Sequence, residues 1–98
     1  MILVVGDVTI RSGSLPEALE MSREHVTRSR CEPGCISHDV HHHADDDHRL
    51  VFVERWADRA ALDAHFAVPA SQRFADALTA LAVERPRMDV YETTEAAS

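Results

Sequence analysis

One histidine of this chain occupies a position that suits proton transfer, and histidine is the side chain that most readily exchanges a proton near neutral pH. His65 lies three residues after Leu62 and next to Phe66, a spacing that places it on the inner face of a helix. Shielding from solvent favours the neutral ring, so His65 is predicted to accept the proton of a bound phenol as a general base. A core histidine bonded to a backbone carbonyl is an equally good interpretation of the same spacing.

A second histidine offers the same chemistry from a strand. His38 alternates with Ile36 and Val40 on one face of a segment with strand-like patterning. If that face lines a pocket, His38 is a second candidate base. The same position also suits a residue at a dimer interface, and the sequence leaves both interpretations open.

Aromatic and acidic side chains accompany these bases. Phe52 and Trp56 fall on one strand face and suit stacking on a planar substrate, although aromatic residues in a small core more often only pack. Glu54 alternates into the same face, where a buried carboxylate needs a partner such as an arginine. Asp7 poses the same question on the first strand. The predicted substrate-binding residues are Trp56, Phe52, Glu54, Phe66, Phe74 and Asp7.

A run of histidines and aspartates near the middle of the chain contains the side-chain types that bind zinc, nickel or copper. These residues are His41, His42, His43, Asp45, Asp46, Asp47 and His48. Adjacent residues of a strand point to opposite faces, so no three of these ligands are positioned to converge. The segment is predicted to be a solvated, acidic hairpin tip, and no metal site is predicted.

The elements that must position these residues follow from turn and capping signals. Ser14 and Glu17 match a capping box, Asp58 suits a helix N-cap, and Pro69 suits the first turn of a further helix. In chain order, the patterning predicts a strand at 1–10, a helix from 14 to the Pro33-Gly34 stop, strands at 35–42 and 49–56, helices on both sides of Pro69, and a strand at 88–93. Residues 1–94 are predicted to form one domain and residues 95–98 a disordered tail.

This order predicts an α+β fold with the ferredoxin-like arrangement β-α-β-β-α(α)-β, an antiparallel four-stranded sheet with helices on one face. The first and third strands are apolar on both sides. The face of the sheet without helices would therefore expose a larger apolar patch than monomers usually carry. A homodimer through the open sheet faces is predicted.

Composition and segment length argue against nucleic acid or a membrane as a partner. The 98 residues include ten arginines, no lysine and 17 acidic residues, for a net charge of −7, so nucleic acid is an improbable partner. The apolar segment 1–10 is interrupted by Asp7 and is far shorter than the ~20 residues of a membrane span, so no membrane association is expected. Cys31 and Cys35 lack the further cysteines of a disulfide framework or a four-cysteine zinc site. A cytoplasmic protein with reduced thiols is predicted.

The chain resembles the antibiotic biosynthesis monooxygenase domain family, within the dimeric α/β-barrel group, over nearly its whole length. The resemblance is carried by Glu32-Pro33-Gly34-Cys35 at the end of the first helix and by the run ERWADRAALDAHF, residues 54–66, with Phe74 downstream. Departures from the family are Ala70, where members often carry a histidine, and His38, where they often carry an aromatic residue. His65 and Ala75 stand where the haem-degrading branch offers a tryptophan and the iron-ligating histidine, which disfavours haem breakdown.

The resemblance implies enzymes that oxidise aromatic polyketides or hydroquinones with dioxygen, without metal or flavin. The predicted function is accordingly a cofactor-independent monooxygenase acting on a phenolic, hydroquinone or aromatic polyketide-type substrate, with His65 and His38 as catalytic candidates. No cofactor is predicted. The alternatives are a non-catalytic dimer that binds a small ligand and a cofactor-free isomerase or cyclase on the same fold.

Overall fold

The computed structural model describes residues 1–94, so the predicted disordered tail at 95–98 lies outside the described residues. In the described part, the elements follow the predicted order, with boundaries that differ by a few residues. They are β1 (Ile2–Thr9), α1 (Leu15–Ser29), β2 (Cys35–His43), β3 (Asp46–Trp56), α2 (Arg59–Ala67), α3 (Pro69–Leu81) and β4 (Arg87–Glu92).

Within residues 1–94 the strands form one antiparallel sheet in the order β2-β3-β1-β4, which confirms the ferredoxin-like fold. The register places Val4 of β1 between Glu54 of β3 and Val90 of β4. Residues opposite each other in a ladder share a face, and successive residues alternate. One face of the sheet therefore carries Val4 and Glu54 toward the helices, and the other carries Leu3 and Val5 away from them.

The core lies between this helix-side face and the helices. One cluster of buried side chains gathers around Leu50 and Phe52 of β3, with Val26 of α1 and Leu78 of α3. A second cluster packs Ile2, Val4, Trp56 and Leu62. The apolar alternation of β1 and β3 dictates both clusters, because a strand can place only every second side chain against the helices.

Local signals fix the ends of the helices. The Asp58 carboxylate accepts a hydrogen bond of 2.8 Å from the backbone N–H of Ala61, which confirms the predicted N-cap of α2. Ser14 occupies the N-cap of α1, but its side chain makes no capping hydrogen bond, so the predicted capping box is wrong in this detail. Gly34 has a φ of +80°, and a Cβ there would lie 2.5 Å from Cβ of Ala61. Glycine therefore lets the turn after α1 approach α2 closely.

The hairpin between β2 and β3 differs from the prediction in two respects. The strands continue to His43 and from Asp46, so the turn is shorter than the predicted segment 43–48. A register shift between Cys35 and Ser37 inserts Ile36 as an extra residue. Ile36, expected to share a face with His38, is consequently 57% exposed while His38 is buried.

Among the described helices, none is long and apolar enough to cross a membrane.

Candidate functional site

A cavity of about 270 Å³ lies between the helices and the sheet, against the helix-side face. Its wall includes His38 and Glu54 from the sheet and His65 from α2, three of the residues predicted from sequence. The predicted aromatic residues Phe52, Phe66 and Phe74 also line it. The fold thus brings candidate bases, a carboxylate and aromatic rings to one cavity.

His65 is held at the cavity wall by a carboxylate. The residue is 3% exposed, and its Nδ1 lies 2.6 Å from Oε1 of Glu32, in the turn after α1. An ionised carboxylate accepts the Nδ1–H, which leaves Nε2 on the other side of the ring, 3.9 Å from Oε1 of Glu54. The spacing of His65 predicts a ring that is shielded from solvent or bonded to a carbonyl. The structure adds a charged partner that fixes the orientation of the ring.

Glu54 is a buried carboxylate without an arginine partner among the described residues. Its Oε1 accepts a 3.0 Å hydrogen bond from the indole N–H of Trp56 and lies 3.3 Å from Nε2 of His38. Burial acts to raise the pKa of the Glu54 carboxyl, but His38 and the indole N–H outweigh it, and the pKa lies below its usual value. Glu54 therefore brings a negative charge to the cavity wall at neutral pH.

His38 faces the same carboxylate from β2. It is 1% exposed, and its approach to Glu54 is close but poorly aligned for a hydrogen bond. Both ring nitrogens lack a hydrogen-bond partner among the described residues. A buried ring with unsatisfied nitrogens is uncommon in native proteins.

His25 of α1 is a third histidine of the cavity wall, and it was not predicted from the sequence. Its ring stacks on Phe74 with centroids 4.0 Å apart, and Nδ1 accepts a 2.7 Å hydrogen bond from the guanidinium of Arg28. Burial lowers the pKa of His25 to about 3, with further contributions from His38, His65 and Arg28. His25 follows Ala18 by seven residues and Ser22 by three, a helical spacing that places all three on the buried face of α1.

Two predicted site residues are placed differently from the rest. Trp56 is fully buried and is not among the residues that line the cavity; its ring lies 4.6 Å from that of His65, and its N–H supports Glu54. Asp7 reaches the edge of the cavity, but strand alternation puts its side chain on the open face, where Arg49 binds both carboxylate oxygens. Trp56 thus positions cavity residues, and Asp7 has a charge partner of its own.

The family model of antibiotic biosynthesis monooxygenase matches residues 1–77, which carry β1, the helices α1 and α2 and all the cavity histidines. The chain belongs to the antibiotic biosynthesis monooxygenase family. The candidate site therefore lies on the scaffold of that family.

Two similar solved structures share both the fold and the length, and a third relative is a longer protein. A crystal structure of an antibiotic biosynthesis monooxygenase is 28% identical, with a TM-score of 0.89, and the match covers 97% of this chain and all of that one. Rv0793 of Mycobacterium tuberculosis is 26% identical, with a TM-score of 0.90 over 99% of this chain and 98% of its own. The uncharacterised protein sll1783 of Synechocystis is 31% identical over 94 residues, 96% of this chain; the chain spans 64% of that relative's length.

Proposed function

We propose that the protein is a cofactor-independent monooxygenase that oxidises a phenolic, hydroquinone or aromatic polyketide-type substrate with dioxygen. The observation that carries this proposal is the buried imidazole of His65 at the wall of a partly aromatic cavity, with Nδ1 held by Glu32. This arrangement leaves Nε2 as the atom that accepts a proton. Family membership and the monooxygenase among the similar structures support the same class of reaction.

The cavity limits the size of the substrate. About 270 Å³ lies just below the ~300–1,000 Å³ typical of sites for drug-sized ligands. A phenol or hydroquinone of one or two fused rings suits this space better than a larger polyketide. Phe52, Phe66 and Phe74 supply apolar surface for such a ring, and Glu54 and His38 supply polar contacts for its oxygen atoms.

The proposed reaction needs no external reductant. His65 removes the phenolic proton, with Glu32 as a positioning residue that stabilises the resulting imidazolium. The phenolate transfers one electron to dioxygen, and the radical pair recombines to form a carbon–peroxide bond at a ring position that carries hydrogen. Loss of that hydrogen and cleavage of the O–O bond release water and leave a quinone. One oxygen atom enters the product, and the substrate supplies all the electrons.

We further propose that two copies pack through their open sheet faces. This face carries Leu3, Val5, Val51 and Val53 at its centre, each only partly buried, and Tyr91 at its side, 50% exposed. No described helix covers these side chains, so a second copy would remove them from water. The two free cysteines, Cys31 and Cys35, suit the reducing cytoplasm that we propose as the location.

Oxygen dependence tests the proposed reaction. Purified protein is assayed with a panel of monocyclic and bicyclic hydroquinones in air and under anaerobic conditions, and the product is analysed after reaction in ¹⁸O₂. The proposal expects turnover only in air and one labelled oxygen atom per quinone formed. Equal turnover without dioxygen would instead identify an isomerase or cyclase, and saturable binding without turnover would identify a ligand-binding dimer.

Replacement of His65 tests the base. His65→Gln retains a hydrogen-bonding side chain but cannot take up the proton, and a general base typically contributes ~10²–10⁴-fold in rate. The variant is expected to lose activity by that order while circular dichroism shows a folded protein. Unfolding of the variant, with normal activity in the folded fraction, would show that His65 is a structural residue and would move the base to His38.

A further inference from the structure

Several side chains of types that bind metals lie close together in the cavity wall. The proposed oxidation does not require them to act together. His25, His38 and His65 come from α1, β2 and α2, are all buried, and offer nitrogen atoms within 4.8 Å of one another. Glu54 of β3 adds an oxygen atom 3.3 Å from Nε2 of His38 and 3.9 Å from Nε2 of His65. Three separate elements therefore each direct an imidazole to the same volume, and Glu54 lies beside two of these rings.

His38 provides an independent reason to expect a ligand. Its side chain is fully buried, and neither ring nitrogen has a hydrogen-bond partner among residues 1–94. Burial of an unsatisfied imidazole is unfavourable, because the ring has lost its hydrogen bonds to water. A metal ion that accepts the lone pair of one ring nitrogen would compensate for that loss.

Charge also favours a cation at this point. Glu54 faces His38 and His65 directly, and a carboxylate is an anionic ligand suited to a divalent cation. Glu32 binds the opposite nitrogen of His65 at 2.6 Å. A carboxylate on the outer nitrogen of a metal-binding histidine is the usual arrangement that fixes the ring and strengthens its donor atom. The opposing charge is Arg28, which contacts His25.

We infer that His25, His38, His65 and Glu54 form a binding site for a divalent transition metal of the zinc class. Three imidazole nitrogens and one carboxylate oxygen complete a tetrahedral set. Zinc–nitrogen bonds of about 2.0–2.1 Å place tetrahedral ligand atoms ~3.4 Å apart, a separation that His38 and Glu54 already have. The three imidazole nitrogens lie within 4.8 Å of one another and must move closer together to reach that separation. The inference does not rest on the proposed oxidation, because the metal needs no substrate to bind.

The ligands are not equivalent. Arg28 has only donor atoms, so Nδ1 of His25 accepts its hydrogen bond and the proton of the neutral ring lies on Nε2. Coordination through Nε2 requires that this proton leave and that Nδ1 become the protonated atom, which ends the contact with Arg28. The same guanidinium already donates to Oγ of Ser71 at 3.1 Å and can retain that partner. His25 should therefore contribute less to affinity than His38 or His65.

The exposed hairpin histidines must be removed before the site is measured, because they can bind metal on their own. Nδ1 of His42 contacts the carbonyl of Asp47, and Nδ1 of His43 accepts from the backbone N–H of Asp45. These contacts are local to the hairpin and involve no cavity ligand. The triple variant His41→Ser, His42→Ser, His43→Ser is the matched background for all other substitutions.

The experiment is a titration of chelator-treated protein in this background with cobalt(II), followed by visible absorption, with zinc content measured after dialysis. The inference predicts one metal ion per chain and the intense absorption of tetrahedral cobalt. His38→Gln and His65→Gln each remove a ligand, and Glu32→Gln removes only the outer support. An outer partner typically contributes ~10–100-fold in affinity, so Glu32→Gln should weaken binding by that factor and either ligand substitution by at least about 100-fold.

Several results would overturn the inference. They are a pale, octahedral cobalt spectrum, loss of stoichiometric binding in the hairpin background itself, and unchanged affinity in His38→Gln and His65→Gln. If circular dichroism shows that a histidine variant is unfolded, the metal affinity of Glu54→Gln is measured in its place. The inference then predicts the same loss of affinity for Glu54→Gln.

Activity separates this inference from the proposed function. Zinc occupies Nε2 of His65, so zinc-loaded protein should lose hydroquinone oxidation and regain it after chelation. Turnover that rises with zinc would support the metal site and overturn the role of His65 as a free base. Full oxidation by a protein that binds no metal would overturn the metal site and leave the proposed function intact.

Discussion

Asp7 on the open face of the sheet and Glu54 on the helix-side face are both carboxylates, and they are neutralised in different ways. On the open face, both oxygens of Asp7 accept hydrogen bonds from the guanidinium of Arg49. On the helix-side face, Glu54 meets the indole N–H of Trp56 and the rings of two histidines. Glu54 is 6% exposed, so it lies in the more costly environment for a charge, yet its partners are the weaker ones.

The two kinds of partner differ in whether their own charge can change. An arginine keeps its charge at every pH that a protein meets, so it holds Asp7 in one state. An imidazole can accept a proton from a bound molecule or donate its lone pair to a metal ion, so the charge around Glu54 can follow events in the cavity. A structural ion pair needs the first kind of partner. A site that moves protons or binds a cation needs the second.

Substitutions at two neighbouring residues of β1 are expected to give the largest difference between the two faces of the sheet. Val4 is fully buried against the helices, and Val5 is on the open face. An unpaired charge buried in the interior costs several kcal/mol, a large part of the ~5–15 kcal/mol that stabilises a domain. Val4→Asp is therefore expected to unfold the protein, as measured by circular dichroism and urea titration. Val5→Asp is expected to remain folded.

The same pair of variants tests the proposed dimer. An aspartate at position 5 would place like charges from two copies in one apolar interface. Sedimentation of Val5→Asp at micromolar concentration is expected to show a monomer where the unmodified protein shows a dimer. If Val5→Asp sediments as a dimer, or if the unmodified protein is itself monomeric, the open sheet face is not the interface.

Neutralisation of Glu54 tests the helix-side face more gently. Glu54→Gln keeps the shape and can still accept from the Trp56 N–H, but it removes the negative charge that stabilises a protonated imidazole. Hydrogen bonds to charged groups contribute about 1.5–3 kcal/mol, which corresponds to a rate loss of ~10–100-fold. The measurement is kcat for hydroquinone oxidation in air, with urea titration to show that stability is retained.

A carboxylate on the open face provides the control for Glu54. Asp39 pairs with Arg30 at 2.8 Å, and both side chains are largely exposed. Asp39→Asn removes one negative charge from the same sheet without touching the cavity, and its kcat should match that of the unmodified protein. Equal losses in the two variants would mean that net charge, and not the position of Glu54, controls the rate.

Sequence patterning predicted the faces of the sheet correctly because alternation in β1 and β3 leaves no ambiguity. Val4, Leu50 and Trp56 could be buried only on the side that the helices cover. Ile36 was misplaced because a bulge adds one residue to a strand, and no turn or glycine signal in Cys35–Ser37 announces it. The bulge left His38 on the correct face and moved its predicted neighbour away.

The sequence predicted only those features of the site that depend on a single helix or strand. His65 was found because its helix has a clear inner face. Its partner Glu32 was not, since the contact joins residues 33 positions apart through the turn at Gly34. The metal ligands considered from the sequence were the neighbouring residues His41, His42, His43, Asp45, Asp46, Asp47 and His48. The histidines that do converge, His25, His38 and His65, come from three elements that only the tertiary fold brings together. Sequence proximity was the wrong criterion for convergence.

The smallest expected effect concerns Asp7 and the pH dependence of stability. The hydrogen bonds from Arg49 lower the pKa of Asp7 below its usual value in the folded state. A carboxyl whose folded pKa is lowered contributes stability above its unfolded pKa, about 3.9, and that contribution disappears as the pH falls through the folded pKa. Asp7→Asn should therefore lower the urea midpoint slightly at pH 7 and pH 5, and the difference should vanish toward pH 2.

The partner of Asp7 supplies the control that isolates this ion pair. In an Arg49→Gln background the guanidinium is gone, so Asp7→Asn should shift the urea midpoint by less at pH 7 than it does in the unmodified protein. Because both side chains are partly exposed, added salt should also reduce the effect of Asp7→Asn in the unmodified protein. A midpoint difference that persists or grows toward pH 2 would have the wrong sign for a lowered pKa. Such a result would show that the charge of Asp7 is stabilised by groups other than Arg49. The contrast between Asp7 and Glu54 would then fail.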